Sequence, residues 1–276
     1  MGYAAVMTHV QADAEALPRL ARAVDIAKRF GASLRGVAVE AIPPLAFDSG
    51  FYSVEADWQT AMRETIEGRL KAARQAFDAA TSDFGADASF TCGMQLPTPA
   101  MAAASRAADL IVAGGAPQKM HDAYRDVSAA ELAITSGRPV LVAPPGAPPL
   151  AGRQVLLAWK DTREARRALS DALPFFEQAE RVVVAAVSPK NQAGQAHIEV
   201  ADVAAALKRR GVAAEARVVE DAHPDGGAQL LSEASLAGAD LIVCGAYGHS
   251  RLGEWAFGGV TRDLLSQDQV YLLLSH

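Results

Sequence analysis

The chain is poor in the residues that mark several functional classes. Only 2 of its 276 residues are cysteine. Cys92 and Cys244 lie far apart with no Cys-x-x-Cys spacing, which excludes a disulfide framework and reads as two reduced core residues in apolar stretches. Aromatic residues make up 6% of the chain, too few to suggest a base-stacking platform. Positive charge is also short, with 26 Lys and Arg against 32 Asp and Glu and a net charge of −6. That leaves no basic footprint for nucleic acid. No apolar run approaches the roughly 20 residues that a bilayer-crossing helix needs. The start, Met1-Gly2-Tyr3-Ala4-Ala5-Val6, has no basic stretch ahead of an apolar one. The expectation is a soluble, cytoplasmic protein with neither membrane nor nucleic acid as a partner.

Catalytic signatures are missing too. None of the six histidines (His9, His121, His197, His223, His249, His276) stands in a metal-ligand spacing, and no carboxylate pair marks an acid/base couple. Gly248-His249-Ser250-Arg251-Leu252 lacks the second glycine of a nucleophile elbow. Neither a Walker loop nor the Gly-x-Gly-x-x-Gly fingerprint occurs. No catalytic residue and no metal ligand is assigned.

What is present is alternation. Short aliphatic runs at residues 4–8, 34–39, 88–92, 110–113 and 140–143 recur at 155–159, 182–187, 214–219, 241–244 and 270–274. Most of them are continuous apolar runs, which is how strands buried on both faces of a parallel sheet read. Between them, Leu17, Leu20, Ala21, Val24, Ile26 and Ala27, and again Ala165, Leu169, Ala172 and Leu173, mark helix faces. Alternating strands and helices define an α/β fold with right-handed crossovers.

The chain also repeats. Ala108-Asp109-Leu110-Ile111-Val112-Ala113-Gly114 returns as Ala239-Asp240-Leu241-Ile242-Val243-Cys244-Gly245. A period of roughly 130 residues is too long for a solenoid and indicates a duplicated domain. The boundaries fall at residues 1–146 and 150–276, joined by the stiff Pro/Gly-rich stretch 143–149. The halves differ: the first carries extra residues at 42–58, read as a surface loop, an early helix start or a lid.

Chemistry concentrates after the fourth strand of the second half. Gly245-Ala246-Tyr247-Gly248 is followed nine residues later by Gly258-Gly259-Val260-Thr261 and a helical stretch. Glycines there allow close backbone approach. A helix start supplies free amides and the positive end of its dipole, and consecutive amides form an anion nest. Thr261 could add a hydroxyl and Arg262 a charge. The competing reading is that the glycines only make turns and Thr261 caps its helix.

Gly245-x-x-Gly248, nine residues, then Gly258 and a small residue, within Gly245-Ala246-Tyr247-Gly248-His249-Ser250-Arg251-Leu252 and Gly258-Gly259-Val260-Thr261-Arg262-Asp263-Leu264-Leu265, resembles the phosphate motif of the tandem universal stress protein family. The resemblance implies two tandem open five-stranded parallel sheets, each in order 3-2-1-4-5 and flanked by helices. This is the adenine nucleotide alpha hydrolase-like, Rossmann-like arrangement, with ligand held at the topological switch point. It implies ATP or AMP on Gly245, Gly248, His249, Gly258, Gly259, Val260, Thr261 and Arg262. Ala158, Lys160, Asp161 and Thr162 would face the nucleotide, and Val187 would offer backbone to the adenine. Two departures stand out. Gly259 replaces a usual Ser or Thr, and Lys160 stands where an Asp is usual, with Asp161 one place on, which puts magnesium in doubt.

In the first half Pro117 and Val127 fall at the places of Gly248 and Gly258, with Asp126 and Ser128 nearby. A short acidic side chain there would cap the helix and repel phosphate, so no nucleotide is expected in that half. Its role would be to pair with the second half across the last strands. The resulting expectation is a stress-response protein regulated by an adenine nucleotide in its second half. The alternatives are a slow nucleotide hydrolase or self-phosphorylating protein using the same pocket, and a ligand-free interaction module. A homodimer and a further protein partner remain open.

Overall fold

The computed structural model describes every residue except 1, 15, 45–51, 116–121, 146–147, 221–225 and 247–258, and the backbone alone at 52–55 and 86. All ten expected strands form: β1 Ala5–His9, β2 Ser33–Glu40, β3 Ala88–Met94, β4 Leu110–Gly114, β5 Val140–Ala143, β6 Gln154–Ala158, β7 Arg181–Ser188, β8 Ala214–Glu220, β9 Leu241–Gly245 and β10 Tyr271–Ser275. The helices between them are α1 Leu17–Phe30, α2 Tyr52–Ala80, α3 Pro97–Ala104, α4 Ala129–Thr135, α5 Arg163–Asp171, α6 Leu173–Phe176, α7 Ala193–Lys208, α8 Gly226–Ala237 and α9 Gly259–Ser266. Part of the extra stretch in the first half is thus an early start to α2, from Tyr52.

The sheet order is β3-β2-β1-β4-β5-β10-β9-β6-β7-β8. Each half has the order 3-2-1-4-5 with parallel pairing, and the two meet where β5 and β10 pair antiparallel, Leu141 opposite Leu273. The two expected sheets are therefore continuous, one ten-stranded sheet with helices on both faces. The aliphatic runs explain the placing. β1, β4, β5, β6, β9 and β10 are buried almost throughout and lie inside the sheet. Both edges, β3 and β8, carry more exposed positions. This corrects one expectation: Cys244 is buried, but Cys92 is exposed, because its aliphatic-looking run is an edge strand. Burial pushes the Cys244 thiol up to about 12, so it stays protonated.

The sequence echo has a structural reason. The Asp109 carboxylate accepts hydrogen bonds from the amides of Ala4 (2.9 Å) and Ala5 (3.1 Å), at the entry to β1. Asp240 does the same for Ala151 (2.8 Å) and Gly152 (2.9 Å), ahead of β6. In each half one aspartate ties the entry of the first strand to the start of the fourth. Gly152 takes the left-handed conformation (φ 60°) that this approach requires.

The halves are also pinned on one face. Tyr3 donates to the Asp171 carbonyl at 2.5 Å, and the rings of Phe30 and Phe175 meet edge to face at 5.1 Å. Arg29 lies over Phe175 and donates to the carbonyls of Leu150 and Ala151. Burial, with Asp171 and Asp109 nearby, raises the Tyr3 pKa and keeps its hydroxyl a donor. Among the described residues no helix is long and apolar enough to cross a membrane.

Candidate functional site

Within each half the strand order reverses direction between the first and fourth strands, so the chain connections leave a crevice at their carboxyl ends. In the second half those ends are Ala158 of β6 and Gly245 of β9, in neighbouring strands where Ala158 is registered against Cys244. Thr162 caps α5, its hydroxyl accepting from the Ala165 amide at 3.2 Å. Gly245 has a packing reason for having no side chain: a Cβ there would come within 2.5 Å of the Ala165 nitrogen and the Glu164 carbonyl carbon. The glycine lets the start of α5 sit directly on the end of β9. Glu164 is buried beside it. Burial pushes its carboxyl up, but its own amide, Arg163 and the Thr162 hydroxyl outweigh that and hold it below the usual carboxylate range.

The other side of the crevice is made by β7, α8 and α9. A Cβ on Gly226 would lie 3.3 Å from a Val260 methyl and 4.0 Å from Val187, so the structure brings Val187 and Val260 together across that glycine. At Gly227 a Cβ would meet the Asp263 side chain at 2.6 Å, which locks the start of α8 against α9. Gly259 opens α9, is exposed, and an added Cβ there would meet nothing within 4 Å among the described residues. Thr261 is buried in the first turn and Arg262 is exposed. Lys160 and Asp161 are exposed, and Asp161 accepts from Arg166 at 2.5 Å. Gly248, His249 and Gly258 lie outside the described residues.

Several residues at this end of the sheet gave no signal of a pattern. Gly226 and Gly227 formed no motif, although a glycine pair at a helix start is the mark of a close approach. Trp159 follows β6 and is buried; its amide donates to the Ala185 carbonyl at 2.7 Å, while its indole Nε1 has no partner among the described residues. The His276 Nδ1 lies 2.9 Å from the Ala246 carbonyl and holds the residue that leads out of β9. Among the described residues no three of His, Cys, Asp or Glu are grouped to hold a metal ion.

The first half fills the equivalent space with its own side chains. His9, at the end of β1, is buried, and burial, with Arg19 close by, pushes its pKa down to about 3. Arg19 donates to the His9 carbonyl (3.1 Å) and to Gln11 (2.9 Å), and burial lowers its own pKa to about 10 against the pull of Asp126 and Asp13. Gln11 donates to the Arg125 carbonyl at 3.0 Å. Arg125 reaches both oxygens of Asp13 (2.9 and 2.7 Å) and one of Glu40 (3.4 Å), whose second oxygen takes Arg69 (3.1 Å). Burial opposes the Arg125 charge, and Asp13 and Glu40 outweigh it, so its pKa is raised.

One expectation is corrected here. Asp126 does not cap the following helix. Ser128 does, accepting from the Glu131 amide at 3.2 Å, while Asp126 accepts from the Asp122 amide at 3.0 Å and closes a local turn. Ser128 has the extended backbone that an N-cap needs, and Asp126 stands too early in the chain to reach the helix.

Fold and sites together define a doubly wound α/β protein with two switch-point crevices, of which the first is filled by its own side chains. No protein-family model and no curated protein matches the sequence. Solved structures do match, and their fold is that of universal stress proteins. A universal stress protein from Archaeoglobus fulgidus DSM 4304 superposes with a TM-score of 0.72 at 16% identity, covering 98% of this chain and 95% of that one. A candidate universal stress protein from Pseudomonas aeruginosa UCBPP-PA14 gives 0.59 at 16% identity, over 99% and 93%. A functionally unknown protein from Pseudomonas aeruginosa PAO1 gives 0.60 at 15%, over 99% and 92%. At these identities the likeness speaks to the fold.

Proposed function

We propose that the chain is a tandem universal stress protein whose second half, residues 150–276, binds an adenine nucleotide, ATP or AMP, as a regulatory ligand in the stress response. The half comprising residues 1–146 is its closed partner. One observation carries the reading. At the second switch point α9 begins on an exposed glycine at which an added Cβ would meet no described atom within 4 Å, in the half whose first strand ends on Ala158. Free amides at the start of α9 and the dipole of its backbone favour phosphate oxygens there. Val187, Gly226 and Val260 form an apolar, close-fitting wall of the kind that accepts a flat base. A binding role is favoured over hydrolysis because Asp161, the carboxylate nearest the usual metal position, is engaged by Arg166. A homodimer and a protein partner that reads occupancy would complete the role.

Gly259→Asp tests the reading with little risk to the fold, since an added Cβ there meets none of the described residues and an acidic residue suits a helix start. Saturating ATP or AMP should raise the melting temperature of the natural chain, by about 2.7 kcal/mol of stabilisation at a hundredfold excess over Kd. The variant should keep its melting temperature and lose that response. A full response in the variant would remove phosphate from the start of α9.

A further inference from the structure

The two edges of the sheet are guarded differently. β8 carries Glu215, Arg217 and Glu220 among its seven residues. Glu215 takes Arg181 (2.6 Å) and Arg217 (3.4 Å), and Arg217 reaches on to Glu233 (2.9 Å). Charges of this kind keep an edge strand from pairing with another chain. β3 has the same length, and its residues are Ala88, Ser89, Phe90, Thr91, Cys92, Gly93 and Met94, with neither charge nor proline. It follows β2 residue for residue, from Ala88 opposite Leu34 to Met94 opposite Glu40, without a bulge. Among the described residues its backbone hydrogen-bonds only to β2, so its outward amides and carbonyls have no protein partner there. Its exposed side chains, Ser89, Thr91 and Cys92, are small and uncharged, with nothing to select a different partner by charge.

Such a row of donors and acceptors is completed by another extended strand, and β3 itself supplies one. Turned about a two-fold axis, two copies run antiparallel and present the same groups to each other. In full register Thr91 lies opposite Thr91, Phe90 opposite Cys92, Ser89 opposite Gly93 and Ala88 opposite Met94. A facing threonine pair is a favourable cross-strand contact, and no charge meets another. The same operation on β8 sets Arg217 against Arg217, a like-charge contact that disfavours it. The chain already joins its two matching halves by antiparallel pairing, β5 against β10. We propose that β3 is a dimerisation edge, through which two copies of the chain pair antiparallel about Thr91 and continue the sheet from one to the other. None of the β3 residues belongs to either crevice, so the interface stands independently of nucleotide binding.

Sedimentation velocity on the full-length chain tests this. At micromolar concentration the natural chain should sediment with twice its own mass. Thr91→Lys places a charge on the axis and should give a single species of one chain's mass, with an unchanged circular dichroism spectrum. Glu220→Lys, on the guarded edge, should remain dimeric. The register has its own readout. Facing residues of an antiparallel pair lie about 4.5–5.5 Å apart at Cα, within disulfide reach. Thr91→Cys combined with Cys92→Ser should therefore form a disulfide-linked dimer with diamide as oxidant, since the remaining Cys244 is buried. The natural chain's Cys92, which faces Phe90, should not. A monomeric natural chain, a Thr91→Lys variant that stays dimeric, or crosslinking through Cys92 but not through Thr91→Cys would each overturn the proposal.

Discussion

The two halves use one strand order and one aspartate tie to build crevices with different contents. In the first, β1 ends on His9 and the space above it holds Arg19, Gln11 and Arg125, held by Asp13 and Glu40. In the second, β6 ends on Ala158 and the neighbouring strand ends on a glycine that brings a helix start into contact. The scaffold is set by apolar periodicity and register, which the halves share. The use of the crevice is set by a few residues at strand ends, which they do not.

The sharpest test of this contrast is a matched pair of alanines at the fourth-strand glycines. Gly245→Ala drives a methyl into the backbone of α5, which cannot give way easily, and should cost about 3 kcal/mol. Gly114→Ala meets the far end of the Arg19 side chain at 3.0 Å, which can shift, and should cost less than about 1 kcal/mol. Urea unfolding measures both, and equal costs would mean that the two strand ends are not packed differently.

A smaller effect comes from pH. His9 is neutral in the folded chain down to about 3, while an unfolded histidine takes up its proton near 6.5. Its contribution to stability is therefore complete above pH 6.5 and is lost as pH falls through that value. Between pH 6.5 and 5 the loss should reach about 2 kcal/mol, at 1.36 kcal/mol per unit. His9→Gln should flatten that part of the stability profile. An unchanged slope would place the titration elsewhere and break the picture of a sealed first crevice.

Much of the fold was legible because strands buried on both faces must be apolar along their length, and the strands inside the sheet announced themselves that way. Edge strands are harder, since one side of the ladder is free. Cys92 looked like core because its neighbours are apolar, but only pairing reveals that β3 has no strand beyond it. The proposed nucleotide site rests on a glycine spacing, and spacing alone gives a helix start and a ligand site the same look. Gly245 shows the ambiguity, because its closest demand is the packing of α5. The closed site left little trace. Arg19, Glu40, Asp13 and Arg125 are ordinary charged residues in sequence, up to 112 positions apart, and only the fold brings them together.

Native mass spectrometry of the intact chain titrated with ATP tests the contrast most directly. The proposed second-half site, beside a first crevice filled by its own arginine, predicts a single adenine nucleotide per chain at saturation, whereas two bound nucleotides, or none, would contradict it.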